Sequence, residues 1–223
     1  MLGASPMKII IVDDHPLIRD AVRRACVEEC GHTVVGEAQN GATTLELARL
    51  RRPDLIILDI GLPDMDGFEV AAIIRRELPK TRFLILTASL DEYTIFRVGK
   101  FGFQGFLDKG SNAVTHLRTA LDQIAAGNCF FSPAYHDVRA AMRTNSYSFE
   151  KILTRCEQEI LSLVGEGLSD QEIGTRLGIS PSTSQTHRSN ILQKLNIRGT
   201  PKLVAYAIKN GFTRIPSHTP FAQ

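Results

Sequence analysis

The chain has no tryptophan, only four cysteines, and no apolar run approaching the ~20 residues a membrane span requires. Without tryptophan, a ligand pocket lined by that ring is excluded. Cys26 and Cys30 form a C-x3-C pair, but together with Cys129 and Cys156 they offer no CxxC pair and no histidine at zinc-ligand spacing. Free thiols in a reducing compartment are expected. The opening residues Met1–Pro6 are small and uncharged, and the apolar run behind them is too short for a secretory segment. A cytoplasmic chain without membrane partners is the expectation. Acid is missing too: no Asp or Glu follows Glu172, while Arg176, Arg188, Lys194, Arg198, Lys202, Lys209 and Arg214 stand unopposed. The net charge of +2 conceals this, because the excess lies at one end. Such asymmetry is the footprint of a polyanion partner, or else of a solvated basic tail.

What is present is ordinary globular material: 223 residues, 43% apolar and 22% charged, enough for one large or two small domains. Short β-branched runs at Lys8–Val12, Thr33–Ala38, Leu55–Leu58, Arg82–Leu86 and Gly105–Leu107 alternate with helical patterns starting near Pro16, Gly41, Gly67, Asp91 and Asn112. Alternation of this kind predicts a doubly wound α/β domain with a five-stranded parallel sheet over residues 7–126. The second run is the most amphipathic and belongs near an edge. Residues 127–148 break into turn-forming and polar residues and read as a linker, with room for a short helix at Val138–Met142. Residues 149–214 read as an all-α domain of four helices at Thr154–Gly165, Ser169–Leu177, Pro181–Leu195 and Thr200–Lys209, and 215–223 as a flexible tail.

In an open parallel sheet, ligands sit at the carboxyl ends of the strands, at the switch point between strands one and three. Asp13 and Asp14 follow the first strand directly, and Asp59 follows the third. Three carboxylates meeting there call for a hard cation with oxygen ligands, of which Mg2+ fits best, and for a phosphoryl group brought with it. Thr87 ends the fourth strand and Lys109 follows the fifth, adding a hydroxyl and an ammonium to the same edge. Singly, these segments are common turn sequences. Their convergence at four strand ends is not.

Val12-Asp13-Asp14-His15-Pro16, Leu58-Asp59-Ile60-Gly61-Leu62-Pro63-Asp64-Met65-Asp66-Gly67, Leu86-Thr87-Ala88 and Gly105-Phe106-Leu107-Asp108-Lys109 resemble the flavodoxin-like receiver domain of bacterial two-component response regulators. The resemblance implies that Asp59 accepts a phosphoryl group. It further implies that Asp14, Asp59 and the Gly61 carbonyl hold Mg2+ with Asp13 acting through water, and that Thr87 and Lys109 contact the phosphoryl oxygens. Phe106 is either the family's switch aromatic or an ordinary core residue. Phe101-Gly102-Phe103 departs from the small residues usual there, as extra core or a partner surface, and Asp108 adds a charge beside the lysine.

In the helical part, Ser169-Asp170-x-Glu172-Ile173, a turn at Gly178, and Ser180-Pro181 opening a further helix form a helix-turn-helix pattern. On that last helix Ser184, His187, Ile191 and Leu195 share the inner face. Gln185, Thr186, Ser189 and Gln193, flanked by Arg188 and Lys194, offer hydrogen-bonding groups for base edges and cations for phosphates. A solvated amphipathic helix has the same pattern, and the acid-free charge distribution favours the DNA face. An inward Ser184 must bond back to its own helix or remain costly, so Ser184→Val is expected to stabilise the domain.

Leu153-Thr154-x-x-Glu157-x-x-Ile160-Leu161 and Thr186-His187-Arg188-Ser189-Asn190-Ile191-Leu192-x-Lys194-Leu195 are similar to the LuxR-type domain, and the whole chain resembles the NarL/FixJ class. Arg155-Cys156 and Ser184-Gln185 depart from its pattern. The resemblance implies a transcriptional regulator, not an enzyme beyond accepting its own phosphoryl group. Its implied partners are a sensor histidine kinase, double-stranded DNA and a second copy of the chain upon activation. The rival readings are a phosphorylation-independent regulator with the receiver as an interaction module, and an aspartyl-phosphate phosphohydrolase. The latter needs a general acid at position 61, where the chain has Gly61.

Overall fold

The computed structural model describes residues 5–110 and 113–213. The expected helix start at Asn112, Arg214, and the expected tail at 215–223 lie outside the described residues. The chain divides into two compact units, one holding residues up to Leu90 with Val98–His136, the other Asp91–Arg97 with the residues from Asp137 on.

The first unit alternates strands and helices: β1 (Lys8–Val12), α1 (Pro16–Arg24), β2 (Thr33–Ala38), α2 (Gly41–Arg51), β3 (Leu55–Leu58), α3 (Gly67–Glu77), β4 (Arg82–Thr87), α4 (Glu92–Phe101), β5 (Gly105–Asp108) and α5 (Ala113–Ala125), with a π-helical turn at Ala25–Glu29. Residues Glu92–Arg97 of α4 belong to the other unit. The sheet order is β2-β1-β3-β4-β5-β6, every pair parallel, with β2 at an edge as its amphipathic pattern predicts. Here the sequence reading is corrected: a sixth strand, β6 (Phe130–Phe131), extends the sheet within the stretch expected as linker. Two residues are too few to show a strand pattern. The strand exists because Phe130 N–H donates to the Gln104 carbonyl at 2.9 Å and Ser132 N–H to that of Phe106 at 3.0 Å. It is followed by α6 (Pro133–Thr144), longer than the five residues expected to be helical.

One face of the sheet is closed by Ile9, Ile11, Leu55, Ile57, Leu84, Leu86 and Leu107 packed with Val22 and Cys26 and with Leu117, Leu121 and Ile124. The alternate residues Ile10, Ile56, Phe83, Ile85 and Phe106 point the other way and are equally buried, as strands covered on both sides require. The unusual bulk at Phe101-Gly102-Phe103 is part of this second layer. The Phe103 ring lies 5.7 Å from that of Phe68 and 5.8 Å from that of Phe83, and Phe101 stacks on it at 4.8 Å. The Arg75 guanidinium covers Phe101 at 5.0 Å and donates to the Phe101 and Gly102 carbonyls, fixing the turn between α4 and β5.

The second unit is helical, with α7 (Phe149–Ile152), α8 (Arg155–Gly165), α9 (Asp170–Leu177), α10 (Pro181–Lys194) and α11 (Thr200–Lys209). Each of the four expected helices is present, its first predicted residue being the N-cap or first turn. Thr154 and Ser169 make capping boxes with Glu157 and Glu172. Ile160, Leu161, Val164, Ile173, Ile191, Leu203, Ala207 and Phe212 form the core.

Register decides where the polar residues emerge. Val12 pairs with Leu58, so Asp13 and Asp59 leave the sheet side by side. Thr87 pairs with Asp108, which brings Lys109 to the same edge. The loop after Asp59 returns tightly to α3: a Cβ on Gly67 would lie 2.5 Å from the Ile60 Cα and 2.9 Å from the Asp59 carbonyl oxygen, both backbone atoms. Gly67→Ala therefore displaces the acceptor loop or the start of α3, and a loss of about 1–3 kcal/mol in denaturant unfolding is expected; unchanged stability would show that the loop yields freely.

Candidate functional site

The pocket at the carboxyl end of the sheet is built by four strand ends. Asp13 and Asp59 are 2% and 6% exposed, and the Asp59 amide is held by the Val12 carbonyl at 2.8 Å. The Lys109 ammonium lies 2.6 Å from Asp59 Oδ2 and 2.7 Å from Asp13 Oδ2, bridging two carboxylates. Burial by itself would lower the pKa of Lys109, but Asp59 and Asp13 outweigh it and the pKa is raised. Asp59 Oδ1 accepts from the Gly61 amide at 3.0 Å, which leaves the Gly61 carbonyl outside that bond. Thr87 is 2% exposed, and its hydroxyl oxygen accepts from the Ser89 amide at 3.3 Å. Asp108 caps the Gly110 amide at 3.3 Å.

Asp13, Asp14 and His15 place one ligand atom each within 4.8 Å of one another. His15 Nδ1 is 2.6 Å from Asp14 Oδ1. Asp59 is joined to that group through Lys109. The donors at this edge that carry charge are carboxylate oxygens, and the buried Asp13 and Asp59 share a single ammonium, a set that fits a hard, oxygen-seeking divalent cation. Arg19 escaped the sequence reading. One helical turn beyond His15, it donates to the Asp13 main-chain carbonyl at 2.7 Å and lies 3.7 Å from Glu37. Phe106 is fully buried, its ring 5.6 Å from that of Tyr135.

In the second unit, α9 ends at Gly178, whose φ of 68° makes the left-handed turn, and Ser180 caps α10 by accepting from Thr183 N–H at 3.1 Å. Gln185, Thr186, Ser189 and Gln193 are exposed on α10. Thr186 and Ser189 donate to the Ser182 and Gln185 carbonyls at 2.9 Å each, which leaves their lone pairs outward. The two cations expected beside them are engaged: Arg188 pairs with Asp170, and Lys194 lies 2.7 and 2.8 Å from the two oxygens of Glu157.

Ser184 is fully buried as expected, but its hydroxyl neither bonds back to the helix nor stays unpaired. It donates to Asp170 Oδ1 at 2.8 Å, so the departure from the usual apolar residue is matched by an acid on the neighbouring helix.

A doubly wound domain with an acidic, lysine-bridged pocket, joined to a helix-turn-helix unit, defines the response-regulator class. A family model for the response regulator receiver domain matches residues 9–122, and one for bacterial regulatory proteins of the luxR family matches residues 151–207. The chain is 32% identical to the transcriptional regulatory protein DegU of Brevibacillus brevis over 96% of its length and 98% of DegU. It is 31% identical to the response regulator protein VraR of Staphylococcus aureus, over 92% of this chain and 97% of VraR. Among solved structures, a LuxR-family two-component response regulator from Aurantimonas sp. matches 63% of this chain and 100% of its own at 30% identity and a TM-score of 0.59. RcsB of Salmonella enterica serovar Typhimurium, bound to a promoter, shares the fold at a TM-score of 0.68 and 24% identity, over 92% of this chain and 99% of that one. The chain belongs to the NarL/FixJ class of response regulators, DNA-binding transcription regulators that join a receiver to a LuxR-type helix-turn-helix domain. Among the described residues no helix is long and apolar enough to cross a membrane.

Two outcomes follow for the helical unit. Ser184→Val strips Asp170 of a buried donor, so it is expected to cost about 1–3 kcal/mol in unfolding rather than to stabilise; a more stable variant would show that the bond contributes nothing. For Glu157, burial alone would raise the carboxyl, but hydrogen bonds from Lys194 and Thr154 outweigh it and hold its pKa below the usual range. A carboxyl with a depressed folded pKa stabilises above its unfolded pKa and loses that contribution as pH falls through the folded value. The melting temperature of the helical unit should therefore fall below about pH 4.5, and Glu157→Gln should flatten that dependence; an identical pH profile in the variant would refute it.

Proposed function

We propose that phosphorylation of Asp59 by a sensor histidine kinase controls the binding of this regulator to double-stranded DNA. The observation that carries the reading is the convergence of Asp13, Asp14, Asp59 and the Lys109 ammonium at the ends of β1, β3 and β5. One Asp59 carboxylate oxygen attacks the phosphorus of a phosphohistidine donor. The new oxygen–phosphorus bond forms as the phosphorus–nitrogen bond breaks, and the imidazole leaves with the electron pair. Asp14, Asp59 and the Gly61 carbonyl are the residues to hold Mg2+, with Asp13 acting through water; the ion supplies neutralisation of the charge on the transferring group. Lys109 and the Thr87 hydroxyl contact the phosphoryl oxygens, and Phe106 reports their position to the second layer of the domain.

The functional divisions of this reading are residues 7–126 as receiver, its sheet extended by β6 (Phe130–Phe131), the remainder of 127–148 as connector, and 149–214 as the DNA-binding domain. Gln185, Thr186, Ser189 and Gln193 face the major groove. Dimer and DNA binding in the RcsB structures support a two-fold arrangement, in which an activated homodimer reads half-sites about 10 bp apart. Treatment with acetyl phosphate and Mg2+, read by intact-mass measurement, should add one phosphoryl group to the chain and none to Asp59→Asn. Equal incorporation in the variant would sink the acceptor assignment.

A further inference from the structure

The positive charge of the DNA-binding unit is unevenly free. Within the described residues 149–213, four ion pairs join two residues of that stretch: Arg155 with Glu159, Arg176 with Glu166, Arg188 with Asp170, and Lys194 with Glu157. The two on α10 differ from the others in burial. Glu157 is 3% exposed and also caps α8, accepting from the Thr154 amide at 2.8 Å and the Thr154 hydroxyl at 3.0 Å. The Asp170 side chain is 19% exposed and holds the buried Ser184 hydroxyl. Neither acid can be left behind cheaply, for an orphaned buried carboxylate costs several times what an exposed pair contributes. A phosphate that captured Arg188 or Lys194 would have to meet that cost, and the exchange of one anion for another would leave the net charge on the protein side unchanged. By contrast, Arg198 in the connection after α10 and Lys202 in the first turn of α11 are exposed and are in none of these pairs.

We infer that Arg188 and Lys194 brace α10 against α9 and α8 rather than touch DNA, and that Arg198 and Lys202 supply the phosphate contacts beside it. The face of α10 that enters the groove is then the uncharged stripe Gln185, Thr186, Ser189 and Gln193. This divides the labour along the chain: α10 reads base edges with amide and hydroxyl groups, and the acid-free segment behind it provides ionic affinity independent of sequence. It also accounts for a recognition helix with Gln185 where the class usually carries lysine.

The inference rests on the DNA-binding reading, and salt dependence tests the two separately. Binding of the full chain, treated with acetyl phosphate and Mg2+, is measured by anisotropy on a labelled mixed-sequence duplex of about 30 bp, long enough for two half-sites. The slope of log K against log salt is the readout, since each lost phosphate contact lowers it by about 0.9 per protomer. Arg198→Gln and Lys202→Gln should each lower the slope by about that amount, and their combination by about twice as much. The pair-removing variants Asp170→Asn/Arg188→Gln and Glu157→Gln/Lys194→Gln orphan no charge and should leave the slope where it was.

A drop of about 0.9 in either pair variant would overturn the bracing role, and an unchanged slope in Arg198→Gln/Lys202→Gln would overturn the anchor assignment. Should a pair variant fail to fold, the surface variant still decides, because its two side chains have no internal acid to lose. Absence of any binding by the unsubstituted chain would instead overturn the DNA-binding reading itself.

Discussion

The Lys109 ammonium stands 2.6 Å from Asp59 and 2.7 Å from Asp13, and through it the end of β5 is tied to the ends of β3 and β1. Both carboxylates are almost fully buried, so the lysine is a structural condition of the pocket as well as a part of its chemistry. Breaking a buried pair by removing one partner costs about 3–5 kcal/mol, because the charge that remains has no water to turn to. The parallel register delivers these three groups to one place, and the Gly67 contact with the Asp59 backbone keeps the intervening loop short. On the proposed reading, a phosphoryl group arriving on Asp59 changes the charge that Lys109 must balance. A pocket held by one shared cation is therefore one whose geometry a single added charge can shift.

The helical unit uses ion pairs to the opposite end. Its acids Asp170 and Glu157 hold cations that a count of charges would assign to DNA. A recognition helix held this firmly presents its groups without reorganisation, which favours discrimination between bases over indiscriminate ionic attraction. The receiver exposes its chemistry through strand ends, whereas the helical unit exposes its own by what it keeps tied back.

Much of this is legible in the residues. Short apolar runs such as Ile9–Val12 and Leu55–Leu58, alternating with helical patterns, read as strands covered on both faces, and the acids stand directly behind them. Ser and Thr caps before Glu at the third position mark α8 and α9 without ambiguity. What escaped depends on distance along the chain. Phe130–Phe131 is too short to show a period and is a strand only because β5 offers an open edge. Lys194 meets Glu157 from 37 residues away, and Ser184 meets Asp170 from 14, so neither helix alone reveals that its polar residue has a partner. The reversed expectation for Ser184→Val comes from Asp170 on the neighbouring helix, which an inward hydroxyl read as a property of one helix does not reveal.

The central claim is that charge placed on Asp59 is what changes the affinity for DNA. Anisotropy titrations of the full chain and of Asp59→Asn on one duplex, each before and after acetyl phosphate with Mg2+, test it most directly. Phosphate treatment should tighten binding by the unsubstituted chain and leave the variant unchanged. Equal affinities for the treated and untreated unsubstituted chain, with Asp59 shown by mass to be phosphorylated, would contradict the account.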